Sequence, residues 1–258
     1  MMRRIRVIPV LLIQNGGLVK SVKFKNHKYI GDPINAVKIF NEKEVDEIVV
    51  LDISATKEKR APNISQIREI AGEAFMPLSY GGGITRIEEV KEILYEGAEK
   101  VILNATAFKN LDLITQISEQ FGSQSAVVSI DVKKDWLGNY KVYLQNGSKK
   151  TGMTPVEFAK KAEQAGAGEL ILMAIDRDGT YQGFDMDLVK QVSNTVTIPV
   201  VACGGASHLD DFVNVVNNAD ASAVAAGSLF VYASEQRGVM INYPKPNVLI
   251  NNVFSKIR

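Results

Sequence analysis

One stretch of this chain is stated twice. Residues 76–108 run through Tyr80-Gly81-Gly82-Gly83-Ile84 and close on Val101-Ile102-Leu103-Asn104-Ala105-Thr106-Ala107-Phe108. Residues 198–230 run through Cys203-Gly204-Gly205-Ala206 and close on Ala223-Val224-Ala225-Ala226-Gly227-Ser228-Leu229-Phe230. Pro77 and Pro199 lie 122 residues apart, and so do Phe108 and Phe230. A fixed internal period marks a repeated architecture. Any fold for this chain must therefore place two equivalents of a glycine turn followed by a small-residue strand end.

Around the repeat, short apolar runs alternate with segments of helical period, the signature of βα units on a parallel sheet. Eight runs stand out, at 7–13, 48–51, 77–80, 100–103, 126–131, 170–175, 199–202 and 223–226, with helical patterns such as 33–43, 87–97 and 155–166 between them. At 258 residues the chain has the length of one α/β barrel. The predicted fold is a single-domain (βα)8 TIM barrel over residues 1–258, built from duplicated half-barrels of about 1–122 and 123–258. Residues 14–31 and 133–151 interrupt the pattern after the first and fifth runs, and they are expected to be long loops on the C-terminal face, where barrel enzymes keep their chemistry.

With 30 basic and 29 acidic residues the net charge is +1, which gives no overall electrostatic case for nucleic acid or an anionic membrane. Any anion must be met locally. Cys203 is the only cysteine, which rules out an internal disulfide and fits a reducing cytoplasm. His27 and His208 are far apart, so neither a metal centre nor a cofactor is expected. The basic start at Arg3-Arg4-Ile5-Arg6 is followed by an apolar run without a small-residue cleavage site, and it is expected to lead into a buried strand rather than a signal peptide.

Gly82 and Gly83, and again Gly204 and Gly205, follow a strand and precede a helix, where glycine lets backbone N–H groups approach an anion. Each pair is followed by a small-residue strand end carrying Asn104 and Thr106, or Gly227 and Ser228. Paired sites imply a ligand with a phosphate at each end; tight turns alone are the simpler account. Asp131 ends the fifth run on the face of Val127 and Ser129, and an inward carboxylate there is a general acid or base, or else a salt-bridged loop residue. Laying Leu11-Leu12-Ile13 on Ile130-Asp131-Val132 puts Leu12 where the repeat predicts a second carboxylate. Asp176 and Asp178, in Ile175-Asp176-Arg177-Asp178-Gly179-Thr180, could hold substrate hydroxyls or cap a loop. Arg6, Glu47, Lys100 and Glu169 each begin a strand and would ring the opposite mouth, as a plug of paired charges or a passage. For Cys203, with no histidine placed to activate it, packing is the expected role.

These residues identify a family. Gly31-Asp32-Pro33, Asp46-Glu47-Ile48-Val49-Val50-Leu51-Asp52-Ile53, Gly81-Gly82-Gly83-Ile84, Phe121-Gly122-Ser123-Gln124, Gly166-Ala167-Gly168-Glu169 and Ile175-Asp176-Arg177-Asp178-Gly179-Thr180 resemble the cyclase subunit of imidazole glycerol phosphate synthase, over 6 to about 230. The resemblance implies a lyase of histidine biosynthesis, part of a glutamine amidotransferase system. A glutaminase subunit would dock at the N-terminal face, and ammonia would cross the barrel to a phosphorylated small molecule. Arg6, Glu47, Lys100 and Glu169 match the family's gate, Lys20 matches a basic residue of its first loop, and Asp131 matches one of two aspartates that transfer protons. Leu12 replaces the other, so cyclase turnover is in doubt. Past Phe230 the family continues into a final helix, whereas residues 234–246 here contain two prolines, an atypical tail from about 231. Together these departures resemble the paralogous branch found with surface-polysaccharide genes, which passes ammonia to a separate sugar amidotransferase. The expected function is thus ammonia channelling for amidation of such a sugar. The alternatives are the histidine-pathway cyclase itself and a non-catalytic scaffold that activates its glutaminase.

Overall fold

A parallel strand covered by helices on one side and packed side chains on the other reads as a continuous apolar run, and the eight runs do form such strands. The structure, a computed structural model, describes residues 3–233 and 238–258. In chain order the strands are β1 (Val7–Gln14), β2 (Gly17–Val22), β3 (Lys25–Gly31), β4 (Ile48–Asp52), β5 (Leu78–Gly81), β6 (Lys100–Leu103), β7 (Ala126–Lys134), β8 (Tyr140–Leu144), β9 (Lys149–Lys150), β10 (Glu169–Ala174), β11 (Val200–Cys203) and β12 (Ala223–Ala226). Strands β1, β4, β5, β6, β7, β10, β11 and β12 pair in parallel, each with the next, and β12 returns to β1. The chain folds as a closed (βα)8 barrel.

The register shows how the barrel closes. From Leu12 the ladder passes through Leu51, Gly81 and Ile102 to Val127, four residues before Asp131. From Asp131 it passes through Met173, Cys203 and Ala225 to Ile8, four residues before Leu12. Four residues of stagger on each side make eight, the shear of a TIM barrel. Inside lies a cluster that includes Ile8, Val10, Leu12, Val49, Ile102, Val127, Ile171, Met173 and Val201.

A larger apolar layer joins the outer faces of the strands to the helices. These are α1 (Pro33–Glu42), α2 (Ile64–Glu73), α3 (Ile87–Tyr95), α4 (Ala105–Lys109), α5 (Asp112–Phe121), α6 (Pro155–Gln164), α7 (Met186–Ser193), α8 (Leu209–Ala219), α9 (Ser228–Val231) and α10 (Pro246–Asn252). Local chemistry sets several starts. Asp32, Asn63 and Asp185 cap α1, α2 and α7 by accepting a backbone N–H, and Thr154 with Glu157 forms a capping box ahead of Pro155. Among the described residues no helix is long and apolar enough to cross a membrane.

The two interruptions are hairpins rather than loops. β2 pairs antiparallel with both β1 and β3, and β8 with both β7 and β9. Asn15 and Gly16 turn the first with φ of 50° and 81°, as a type I′ turn demands. The expected tail falls partly on residues 234–237, which lie outside the described residues. Beyond them Met240 N donates to Val231 O at 3.0 Å and Asn242 N to Phe230 O at 2.8 Å. Buried Tyr243 donates its hydroxyl to Val7 O at 2.9 Å, and Pro246 opens α10 at a position where its missing N–H costs nothing.

Candidate active site and opposite mouth

At the N-terminal mouth the four strand-start charges come together. Lys100 Nζ lies 3.0 Å from both Glu47 and Glu169. Arg6 bonds the same two carboxylates, and Ser79 Oγ donates to Glu47 Oε1 at 2.8 Å. Burial pushes the Glu47 carboxyl up, but Lys100, Arg6 and Ser79 together outweigh it and hold Glu47 below its usual range. The ring thus sets two cations, Arg6 and Lys100, against two carboxylates, Glu47 and Glu169.

At the other mouth the strand ends and the two hairpins enclose a cavity lined by Leu12, Lys20, Gly82, Gly83, Asn104, Thr106, Asp131, Gly204, Gly205, Gly227 and Ser228. These eleven residues singled out from the sequence thus line one cavity. Asp131 is pushed up to about 7, chiefly by burial and further by the negative charge of Asp178, against hydrogen bonds from Asn104 and Ser129. A carboxyl poised near neutrality can give or take a proton. Leu12 offers no such group. Lys20 is buried and donates Nζ to Val10 O at 3.0 Å. Burial lowers its pKa, while Asp178 opposes the shift.

Asp176 is not with them. Its carboxylate accepts the Lys134 N–H at 2.9 Å and ties the β7–β8 hairpin to the end of β10. Asp178, two residues on, reaches the cavity, where Ser21 Oγ donates to it at 3.2 Å. Burial raises the Asp178 carboxyl, with Lys20 opposing. Cys203 is buried in the wall with its thiol pushed up to about 12 by burial, which leaves it a packing residue.

The glycines of both turns are sterically required. Gly82 and Gly83 have φ of +124° and +74°, Gly204 and Gly205 +96° and +105°. A side chain at Gly83 would sit 2.6 Å from Arg60 O, and one at Gly204 2.7 Å from Ala174 O. Only glycine lets the backbone turn here.

The sequence that builds this barrel matches known proteins over nearly its whole length. The family model described as "Histidine biosynthesis protein" matches residues 6–236. A Pseudomonas aeruginosa protein named "Putative imidazole glycerol phosphate synthase subunit hisF2" is 50% identical over 249 residues, 96% of this chain and 99% of that one. An Alkaliphilus metalliredigens protein named "Imidazole glycerol phosphate synthase subunit HisF" is 42% identical over 227 residues, 88% of this chain and 90% of its own. The chain belongs to the imidazole glycerol phosphate synthase cyclase-subunit family. A Leptospira interrogans relative, 48% identical over 240 residues, covers 93% of this chain and 94% of its own.

In this cyclase-family barrel several cavity residues escaped sequence reasoning. Phe24 and His27 come from the first hairpin, Gln145 and Asn146 from the second. Asn146 Nδ2 donates to Ile53 O at 2.9 Å, fastening the second hairpin across the mouth. Asn15-Gly16 and Asn146-Gly147 were the available signals, since both pairs favour a turn with positive φ.

Proposed function

We propose that this subunit receives ammonia from a glutaminase docked at the N-terminal face and passes it through the barrel to a sugar acceptor other than the histidine-pathway substrate. The observation that carries the reading is Leu12. Leu12 lies four strands from Asp131, each four residues beyond the point that the ladder from the other reaches, and in this reading it leaves the mouth with one proton-transfer carboxylate where a cyclase would use two. The complete ring of Arg6, Glu47, Lys100 and Glu169 supports retention of the delivery route. The glycine turns support an anionic ligand with phosphates at two ends. Within this reading the acceptor is a surface-polysaccharide sugar, converted from acetamido to acetamidino by a separate amidotransferase.

A second reading, the histidine-pathway cyclase, has its own observation. Asp178 brings another carboxylate into the cavity beside Lys20, where it offers an alternative proton carrier. One assay separates the two. The purified chain is given ammonium salt and the ribulosyl substrate of the histidine pathway, then compared with Leu12→Asp. Turnover by the variant alone supports the proposal, and turnover by the unmodified chain establishes the cyclase instead.

A further inference from the structure

Each glycine turn rests on a loop, and each loop is folded on itself by an arginine. Behind Gly82 and Gly83 runs the segment 52–61. A Cβ at Gly82 would strike Asp52 O, and one at Gly83 would lie 2.6 Å from Arg60 O and 3.0 Å from the Ala55 methyl. The turn cannot move inward unless this segment moves first. Arg60 holds the segment closed: its Nη1 donates to Asp52 Oδ2 at 3.0 Å, its Nη2 to Ser54 Oγ at 3.0 Å and its backbone N–H to Ala55 O at 2.8 Å. Asp52 completes the knot by accepting from the backbone N–H groups of Ser54 at 3.0 Å and Ala55 at 3.1 Å.

The other side is built alike with different bonds. A Cβ at Gly205 would strike Gly183 O and lie 2.9 Å from the Arg177 Cβ. Arg177 Nη1 donates to Gln182 O at 2.8 Å, and Gly183 N donates to Gly205 O at 2.8 Å. Neither Arg60 nor Arg177 lines the cavity. Arg60 meets its turn through its backbone oxygen and Arg177 through its Cβ.

We infer that Arg60 and Arg177 are positioning residues, each setting the anion affinity of its own glycine turn and leaving the other turn unaffected. The inference rests on the proposed phosphate sites. A glycine turn binds an anion through N–H groups whose directions must be held, and a loop free to shift by an ångström misdirects them. The two braces share no residue, and their sites lie on opposite sides of the mouth, so their effects should be separable.

Inorganic phosphate titrated into the full chain, with amide resonances of Gly82, Gly83, Gly204 and Gly205 followed by NMR, reads the two sites independently. Arg60→Ala should weaken the Gly82–Gly83 response about tenfold, the order expected from losing charge-assisted hydrogen bonds, and leave the Gly204–Gly205 response within about twofold. Arg177→Ala should do the reverse. Arg60→Lys keeps a cation beside Asp52 but loses the fork to Ser54, so it should recover part of the affinity; it also serves if the alanine variant fails to fold. Equal weakening of both sites, or no change at the near one, overturns the inference. Absence of a phosphate response at all four glycines in the unmodified chain overturns the phosphate-site reading itself.

Discussion

Leu12 and Asp131 face one cavity from strands four apart in the barrel, each four residues beyond the point that the ladder from the other reaches. One side of the mouth is thereby apolar where the other can ionise. Leu12 packs in the barrel interior with Val10, Val19 and Val49. A carboxylate introduced there meets little polar support, so its folded pKa should rise above the free value of about 4. Leu12→Asp should therefore cost about 2 to 4 kcal/mol at pH 8 and clearly less at pH 5, because a raised carboxyl is penalised only once the unfolded state ionises ahead of it. Urea denaturation at the two pH values checks this, with Leu12→Asn as the variant whose cost should not change.

Asp131 gives a second pH dependence. Its folded pKa is raised to about 7, mainly by burial. Between about pH 4 and 7 the folded state keeps a proton that the unfolded state has released, so this group's contribution is whole below the unfolded pKa and is lost as pH rises through 7. Asp131→Asn lacks that loss. Its stability relative to the unmodified chain should rise from pH 4 to 7 and then level off, as measured by denaturant midpoints across that range. If Asp131 acts as a base, any turnover by Leu12→Asp should carry a rising limb near pH 7 that Asp131→Asn abolishes.

The charged ring responds to the loss of a cation. Lys100→Met leaves Glu47 and Glu169 to share Arg6 alone. Removing one partner from such a buried network costs about 3 kcal/mol. Glu47 is held below its usual range, so its stabilisation is present above the unfolded pKa and disappears as pH falls. The deficit of Lys100→Met against the unmodified chain should thus be largest at neutral pH and shrink below about pH 4. In the assembled complex the same variant should lower the ratio of glutamine-supported to ammonium-supported turnover; an unchanged ratio removes the case for a passage.

Gly227 offers a test of Lys20 that leaves the lysine in place. A methyl group at Gly227 would overlap the Lys20 amine, the far end of a flexible chain, while the backbone φ of −108° suits any residue. Gly227→Ala should therefore displace the amine from Val10 O with a stability change of about 1 kcal/mol or less, yet weaken ligand binding several-fold. Calorimetric titration with inorganic phosphate, beside a thermal melt, distinguishes the two effects.

Much of the site could be read before any fold was known. The repeat marked Gly82, Gly83, Gly204 and Gly205 as turns, and all four have positive φ, because a strand-to-turn transition of this kind leaves a local mark in sequence. Strand alternation likewise placed Asp131 on the cavity wall. For Asp176 and Asp178 the sequence left two roles open, holding a ligand or capping a loop. Both lie in one polar segment two residues apart, and which of them faces the cavity depends on Ser21 and Lys134, contributed by distant hairpins.

The sequence by itself determined the closed barrel, the paired glycine turns and the identity of the charges at the N-terminal mouth, since each follows from periodicity or from residues adjacent along the chain. The tertiary structure decided what long-range packing alone can set: that Lys100 and Arg6 share both glutamates, that burial and Asp178 bring Asp131 close to neutrality, and that Asp178 rather than Asp176 enters the cavity. Desolvation and Coulomb attraction depend on distances between groups far apart in the chain, and only the closed barrel fixes those distances.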